Sequence, residues 1–167
     1  GRIQPHCEVK IVNNYGQTCA VGETGEFWAK GYLVMKGYWQ DESATNASIE
    51  SGWMNSGDLA TIDSEGYCRI VGRKKDMVIR GGENIYPAEL EDFLTGQDGI
   101  LEAHVFGVPD EKFGEKLVAW IVTEAGAMLD EASIKEMCRK SLGHYKVPKI
   151  VRFVENIPLI ATGKPLH

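Results

Sequence analysis

The sequence predicts an α+β fold, in which a small β-barrel-like subdomain is followed by a compact α+β domain and the two meet near Lys75. Two observations predict it. Before Lys75, short β-type segments are separated by glycine turns, a pattern typical of barrel-like sheets. After Lys75, apolar runs of strand length are mixed with two segments of helical periodicity.

The composition is that of a folded, acidic protein. The 167 residues are 43% hydrophobic and carry a formal net charge of −6, which suits a real core in one or two domains. The acidic balance argues against a general nucleic-acid binder or a binder of anionic membranes, since either would need a basic face. No apolar run approaches the roughly 18 residues that a membrane helix requires.

Cysteine and histidine spacing gives no sign of a metal site. The four cysteines are scattered without a Cys-x-x-Cys pair, and no histidine lies at ligand distance from them. We therefore expect neither a zinc site nor a disulfide framework, and a reducing, intracellular compartment fits the pattern better. The start at Gly1, without a methionine or a signal-like segment, suggests a fragment or a processed product.

The first part of the chain predicts strands and one short helix. Residues 8–12 alternate polar and apolar side chains, as a half-buried strand does, and residues 25–31 form a glycine-bounded strand. Residues 42–47 predict one or two helical turns. Residues 59–71 predict a hairpin with its turn at 63–66.

The second part begins with a small hairpin and continues with two longer strands. Residues 76–79 and 84–86 flank Gly81-Gly82 and predict the hairpin. The apolar runs 103–108 and 117–122 predict the two strands, joined by a loop.

Two helices and a last strand complete the second part. Pro87 suits the first position of one helix, which we expect to stop at Gly96. Asp130 is a good N-cap for the other, which we expect to end at Gly143, and residues 150–154 predict the last strand. The apolar faces of the helices are predicted to contain Leu90, Phe93 and Leu94 in the first and Ile134, Met137, Cys138 and Leu142 in the second.

Ser56-Gly57-Asp58 is a candidate nucleotide-binding turn. Its carboxylate can accept hydrogen bonds from the two hydroxyls of a vicinal diol. Gly72-Arg73 ends a strand further on, and a guanidinium there can bind the same sugar or an adjacent phosphate. The alternatives are a carboxylate that caps its own turn and a surface ion pair that contributes little.

Four cations gather beside the glycine pair Gly81-Gly82, and they are Arg73, Lys74, Lys75 and Arg80. Their positive field suits a small polyanionic ligand. The alternative is a solvated edge face that blocks aggregation, and the residues alone favour neither. The two glycines also need no function at the tip of a hairpin.

Lys164 ends the segment Thr162-Gly163-Lys164, on a predicted loop. A lysine in such a loop can neutralise charge that develops on a phosphate. The alternative is a solvated lysine, which is the commoner case near a chain terminus.

The order of these motifs resembles that found in the adenylate-forming, AMP-binding superfamily. The residue pattern of 72–91 is most similar to that of its fatty-acyl-CoA synthetases. Several motifs in one order are stronger evidence than any one of them. Further matching motifs are Gly25-Glu26, Gly37-Tyr38-Trp39 with Thr45, Gly52-Trp53, Gly66-Tyr67, Val108-Pro109-Asp110 with Gly114-Glu115, 145–149, and Pro158 with 162–164.

The resemblance implies a division of the chain and a role for each motif. Residues 1–74 would be the last β subdomain of a large N-terminal AMP-binding domain, and residues 75–167 a C-terminal α+β lid with an antiparallel sheet and helices. Lys75 would be the hinge between the two half-reactions. The implied site residues are Asp58 for the ribose hydroxyls, Arg73 for the ribose and phosphate side, Lys164 for the α-phosphate, and Gly81, Gly82 and Glu83 for the CoA step.

The function implied is that of an ATP-dependent medium-chain-like fatty acid–CoA ligase, with fatty acid, ATP and coenzyme A as substrates and Mg²⁺ accompanying ATP. The family's phosphate loop and acyl pocket lie upstream of these motifs, so we expect the isolated chain to be inactive without an N-terminal domain. Pro165-Leu166-His167 departs from the family after Lys164. The alternatives are an enzyme that loads a carrier protein and a truncated, non-catalytic binding module.

Overall fold

The structure, a computed structural model, describes residues 1–158. Residue contacts divide the chain into two compact units, the first covering Gly1–Lys75 and the second starting at Asp76. Over residues 1–158, each unit contains one five-stranded sheet. Within the described residues, no helix has both the length and the apolar character needed to cross a membrane.

Strand β4 is the centre of the first unit. It pairs with β2 along one edge and with β3 and β5 along the other, and every one of these pairs is antiparallel. The elements of this unit are, in chain order, β1 (Cys7–Val12), β2 (Gly25–Gly31), α1 (Glu42–Ser48), β3 (Ile49–Glu50), β4 (Trp53–Ile62) and β5 (Cys68–Arg73).

The N-terminal segment joins the two sides of this sheet. Strand β1 pairs with β2 over its full length. Just before β1 in the chain, Arg2 forms a β-bridge with Tyr67 next to β5, and the Cys68 amide donates to the Gly1 carbonyl at 2.8 Å. One segment thus contacts β2 on one side of β4 and β5 on the other, which agrees with the predicted barrel-like arrangement.

The predicted turn at Ser56-Gly57-Asp58 was wrong as a secondary structure, because these residues lie inside β4. Pairing with strands on both sides of β4 overrides the local turn signal. A trace of that signal remains: Gly57 has a positive φ of 71°, and the register with β2 shifts beside it, between Glu26 and Trp28. The strand is therefore bulged at the motif.

The second unit contains every element that the sequence predicted for it. Strands β8 and β9 are longer than expected, because the loop predicted at 109–114 is mostly absorbed into their hairpin, where Asp110 pairs with Gly114. The elements are β6 (Val78–Arg80), β7 (Glu83–Ile85), α2 (Pro87–Thr95), β8 (Ile100–Asp110), β9 (Gly114–Thr123), α3 (Glu131–Ser141) and β10 (Ile150–Phe153).

The sheet of the second unit is antiparallel except at one edge. Strand β10 pairs with β9 in parallel, from Ile150 beside Val118 to Phe153 beside Ile121. The chain passes through α3 between these two strands, and a crossover of that length is what a parallel pair needs. The predicted antiparallel sheet with helices is therefore confirmed, with one parallel pair at its edge.

Both long helices bury the faces that their periodicity predicts. Leu90 and Leu94 of α2 and Ile134 and Cys138 of α3 are fully buried. Burial raises the pKa of the Cys138 thiol to about 11, so this cysteine is a core side chain and not a reactive group. Asp130 caps α3 as predicted, accepting a hydrogen bond from the Ser133 amide at 2.8 Å.

We predict that Leu90→Ala lowers the free energy of unfolding by about 2–5 kcal/mol, because it leaves a cavity under α2. Urea titration followed by circular dichroism measures the change. Leu101→Ala is the matched control, since Leu101 is 56% exposed and its truncation should cost less than about 0.5 kcal/mol. Equal effects of the two substitutions would contradict the assignment of α2 to the core.

Candidate functional site

Asp58 and Arg73 lie directly opposite each other on β4 and β5. The Arg73 Nε is 3.1 Å from the Asp58 Oδ1. This register depends on a bulge, because Leu59 pairs with Gly72 and Ala60 with Ile70, which leaves one residue of β5 as an insertion. Without the insertion, Asp58 would face Gly72 and not the guanidinium.

A hydroxyl, rather than the carboxylate, stabilises the bulged segment of β4. The Ser56 Oγ donates to the Phe27 carbonyl at 2.9 Å and accepts the Asp58 amide at 3.0 Å. The Asp58 carboxylate is left to pair with Arg73, and both side chains keep contact with solvent. Because both side chains are partly exposed, a ligand can reach the pair, and an exposed ion pair of this kind contributes little to stability.

Lys74 is held by a carboxylate of its own unit. Its Nζ is 3.1 Å from the Glu26 Oε2, and the same oxygen accepts the Trp28 Nε1 at 3.2 Å. Arg73 and Lys74 are therefore both anchored to the first unit. Lys75 follows at the point where the two units divide.

Arg80 is engaged with backbone carbonyls of the second unit. Its Nη1 donates to the Tyr145 carbonyl at 2.8 Å and to the Val147 carbonyl at 3.1 Å. Three members of the cationic cluster thus have specific partners, so the cluster is not a single uncompensated patch.

The glycine pair forms the two-residue turn between β6 and β7. Gly81 has φ 61° and Gly82 has φ 89°, which is the turn geometry that two-residue hairpins favour and that side chains resist. Arg80 and Glu83 pair across the turn. The Gly81 amide donates to the Phe113 carbonyl at 2.8 Å, which ties the turn to the β8–β9 hairpin.

A basic pocket in the second unit was not predicted. It has a volume of about 220 Å³ and is lined by Arg80, Lys135, Arg139, His144, Val147, Pro148 and Lys149. The signal that could have found it is the pair Lys135 and Arg139, four residues apart on one face of α3. Lys135 and Arg139 are paired with Glu131 and Glu136 of the same helix, so an anionic group in the pocket would compete with these carboxylates for the two cations.

Two acidic residues of the 72–91 motif connect helix α2 to neighbouring elements of the second unit. Glu89 accepts from the Lys146 Nζ at 2.6 and 2.7 Å, which connects α2 to the short turn before β10. One oxygen of Glu91 is 2.8 Å from the His104 Nδ1 and accepts the Val105 amide at 2.8 Å, which connects α2 to β8. These contacts give the two carboxylates a structural role.

Lys164 lies outside the described residues, as does the segment that follows it. Within residues 1–158, no group of three or more His, Cys, Asp or Glu side chains is arranged to hold a metal ion.

Residues 89–164 match the AMP-binding enzyme C-terminal domain family. Over 98% of its length the chain is 47% identical to YngI of Bacillus subtilis, whose name assigns it to the acyl-CoA synthetases, and 45% identical to the mitochondrial medium-chain acyl-CoA ligase ACSF2 of Rattus norvegicus. The chain spans 30% and 27% of the lengths of these two relatives.

Solved structures of related enzymes share the fold. The amide bond synthetase McbA of Marinactinospora thermotolerans is 36% identical, with a TM-score of 0.93 over 99% of this chain and 34% of its own. The o-succinylbenzoate CoA synthetase MenE of Bacillus subtilis, in complex with its acyl-adenylate intermediate, is 38% identical, with a TM-score of 0.90 over 97% of this chain and 33% of its own. Residues 89–164 therefore belong to the AMP-binding enzyme C-terminal domain family, and the chain as a whole is similar to the C-terminal part of acyl-CoA synthetases.

Proposed function

We propose that this chain is the C-terminal part of an ATP-dependent acyl-CoA synthetase that activates a medium-chain or similar fatty acid. The observation that carries the proposal is the Asp58–Arg73 pair, set in register at 3.1 Å in a chain whose relatives are acyl-CoA synthetases. Residues 1–74 are then the last β subdomain of an N-terminal AMP-binding domain, and residues 75–167 are its lid.

The reaction has two steps. First, a carboxylate oxygen of the fatty acid attacks the α-phosphorus of ATP. The bond between the α-phosphorus and the oxygen that bridges it to the β-phosphate breaks, so the products are acyl-adenylate and pyrophosphate. Second, the CoA thiol gives up its proton to solvent and attacks the acyl carbon. The bond between that carbon and the phosphate oxygen breaks, so the products are the thioester and AMP. Both steps redistribute negative charge on phosphate. The main contribution of the protein to the rate is therefore to position cations and hydrogen-bond donors where that charge develops.

Asp58 and Arg73 suit the nucleotide in both steps. A carboxylate can accept hydrogen bonds from both hydroxyls of a ribose, and a guanidinium offers several donors in one plane. The pair in the structure joins one oxygen to one nitrogen, Oδ1 to Nε. Their remaining groups suit contacts with the ribose on one side and the phosphate on the other.

Lys164 is proposed to stabilise the α-phosphate in the first step, and Lys75 is proposed to be the hinge. The anchoring of Arg73 and Lys74 to the first unit supports a hinge at the next residue. Rotation about a few residues at an element boundary is the usual way in which a lid gates two steps.

The second unit supplies a hairpin and a pocket for coenzyme A. We propose that the turn at Gly81 and Gly82, with Glu83, approaches the CoA chain, because glycine backbone admits a close neighbour. Apart from its chain neighbours, no atom of residues 1–158 lies within 4 Å of the place where a Gly82 Cβ would be. The basic pocket beside Arg80 is the candidate site for CoA phosphates. Mg²⁺ is expected to accompany ATP, and we propose no ligand for it among residues 1–158.

A second candidate is transfer of the acyl group to an amine or to a carrier-protein thiol. The likeness to the amide bond synthetase McbA is the observation that favours it. The first step is the same in both cases, so only the acceptor distinguishes them.

The test is to incubate the natural full-length protein with ATP, Mg²⁺ and a series of fatty acids, adding CoA, an amine or a carrier protein. We expect AMP release that depends on CoA and a thioester mass that matches the acid. AMP release that needs the amine or the carrier would establish the second candidate. No acid-dependent pyrophosphate exchange would overturn both.

We predict that Asp58→Ala weakens ATP binding by the full-length protein about tenfold to a hundredfold, because each hydrogen bond to a charged group contributes about 1.5–3 kcal/mol. Isothermal titration calorimetry measures the affinity. Glu65→Ala, in the exposed β4–β5 turn, is the matched control and should bind ATP as the unmodified protein does. An Asp58→Ala affinity equal to that of the control would remove Asp58 from the site.

We predict that Lys164→Ala lowers the rate of pyrophosphate exchange by roughly 10² to 10³, the usual effect of removing one aimed charge. Thioester formation from supplied acyl-adenylate should stay close to that of the unmodified protein, because pyrophosphate has already left. Lys140→Ala is the control, since the Lys140 side chain is 73% exposed. Equal losses in both half-reactions would contradict a role in the first step.

We predict that Arg139→Ala raises the KM for CoA about tenfold, through the loss of a charged hydrogen bond to phosphate, and leaves the KM for ATP unchanged. Steady-state kinetics with CoA and with pantetheine, which has no phosphate, separates the two contributions. Arg152→Ala, on the exposed side of β10, is the control. An equal increase in KM for pantetheine would argue against phosphate binding in the pocket.

A further inference from the structure

Strand β6 has little backbone pairing with β9. It is three residues long, and its register with β9 consists of one pair, Arg80 with Gly114. The same strand leads into the turn at Gly81 and Gly82, which we have proposed for the CoA step. Because short, sparsely paired segments open easily, the placement of this turn needs additional contacts.

A side chain of β9 supplies one of these contacts. The Ile79 amide donates to the Glu115 Oε2 at 2.6 Å, one residue along each strand from the Arg80–Gly114 pair. The Glu115 carboxylate thus binds a β6 amide where the sheet pairing stops. A hydrogen bond to a charged acceptor is about twice as strong as a neutral one.

Gly107 of β8 leaves the space in which this carboxylate sits. A Cβ built on Gly107 would lie 2.8 Å from the Glu115 Oε1 and 2.9 Å from the Val78 Cγ2. The φ of Gly107 is outside the left-handed region, so its backbone does not require glycine. Glycine inside a strand weakens it, and the close approach of a neighbouring group is one reason to find one there.

We propose that Glu115 is a positioning residue for the thioester-forming step: seated in the space left by Gly107, it binds the Ile79 amide and so fixes β6 and the Gly81–Gly82 turn. This inference rests on the proposed function. It assigns no contact between Glu115 and a substrate, and the adenylate-forming step does not depend on it.

The structural arm of the test is amide hydrogen exchange at Ile79. We expect Glu115→Ala and Gly107→Ala to accelerate exchange at Ile79 and Gly81 at least tenfold, and Glu115→Gln, which keeps an acceptor oxygen, to restore most of the protection. Glu111→Ala, an exposed residue in the same β8–β9 hairpin, is the matched control. Unchanged exchange at Ile79 in both alanine variants would overturn the proposal, whether or not the protein is an acyl-CoA synthetase.

The kinetic arm uses the full-length protein and measures the two half-reactions separately. We expect Glu115→Ala and Gly107→Ala each to lower kcat for thioester formation roughly tenfold to a hundredfold, with pyrophosphate exchange and the KM for CoA close to those of the unmodified enzyme. Gly107→Ala crowds both the Glu115 carboxylate and the Val78 side chain of β6, so Glu115→Ala is the variant that tests the Glu115–Ile79 contact by itself. Circular dichroism confirms folding, and Glu115→Gln remains informative if Glu115→Ala does not fold.

The possible failures are distinguishable. If the unmodified protein forms no thioester, the proposed function fails. If it forms thioester and the alanine variants match Glu111→Ala, or if both half-reactions fall equally, the positioning role fails.

Discussion

The proposed nucleotide site depends on one inserted residue in β5. The insertion brings Arg73 opposite Asp58, whereas regular pairing from Ile70 onward would place Gly72 there. In a sheet, a slip of one residue also moves each side chain to the other face. The bulge therefore decides whether a carboxylate and a guanidinium lie together at the end of the first unit, and the Ser56 hydroxyl stabilises the opposite strand at the same level.

The cations that follow this bulge have their partners in two different units. Arg73 and Lys74 pair with Asp58 and Glu26 of the first unit, whereas Arg80 binds carbonyls in the second. Lys75 lies between these anchored groups. A sequence that looks like one positive patch is thus a set of specific contacts on either side of a proposed hinge, and each unit keeps its own internal bonds.

The sequence predicted the elements well and their contacts poorly. Apolar periodicity identified α2 and α3, and the buried Leu90 and Cys138 confirm their faces. The residue types of Ser56-Gly57-Asp58 predict a turn, which is wrong because the strands that pair with both edges of β4 cannot be recognised from the local sequence. The Glu115–Ile79 contact, between residues 36 positions apart, has no local signal at all. For Asp58, Arg73 and Lys164 the residue chemistry leaves a binding role and a bland alternative open, the family resemblance favours the binding role, and these roles remain predictions.

The most direct measurement is a crystal structure of the full-length protein with an acyl-adenylate analogue, in which a sulfamate replaces the phosphate. We expect both ribose hydroxyls to donate to the Asp58 carboxylate and Arg73 to contact the ribose or the sulfamate, with the β4–β5 bulge unchanged. An analogue bound elsewhere, with the Asp58–Arg73 pair intact and untouched, would contradict the proposed site.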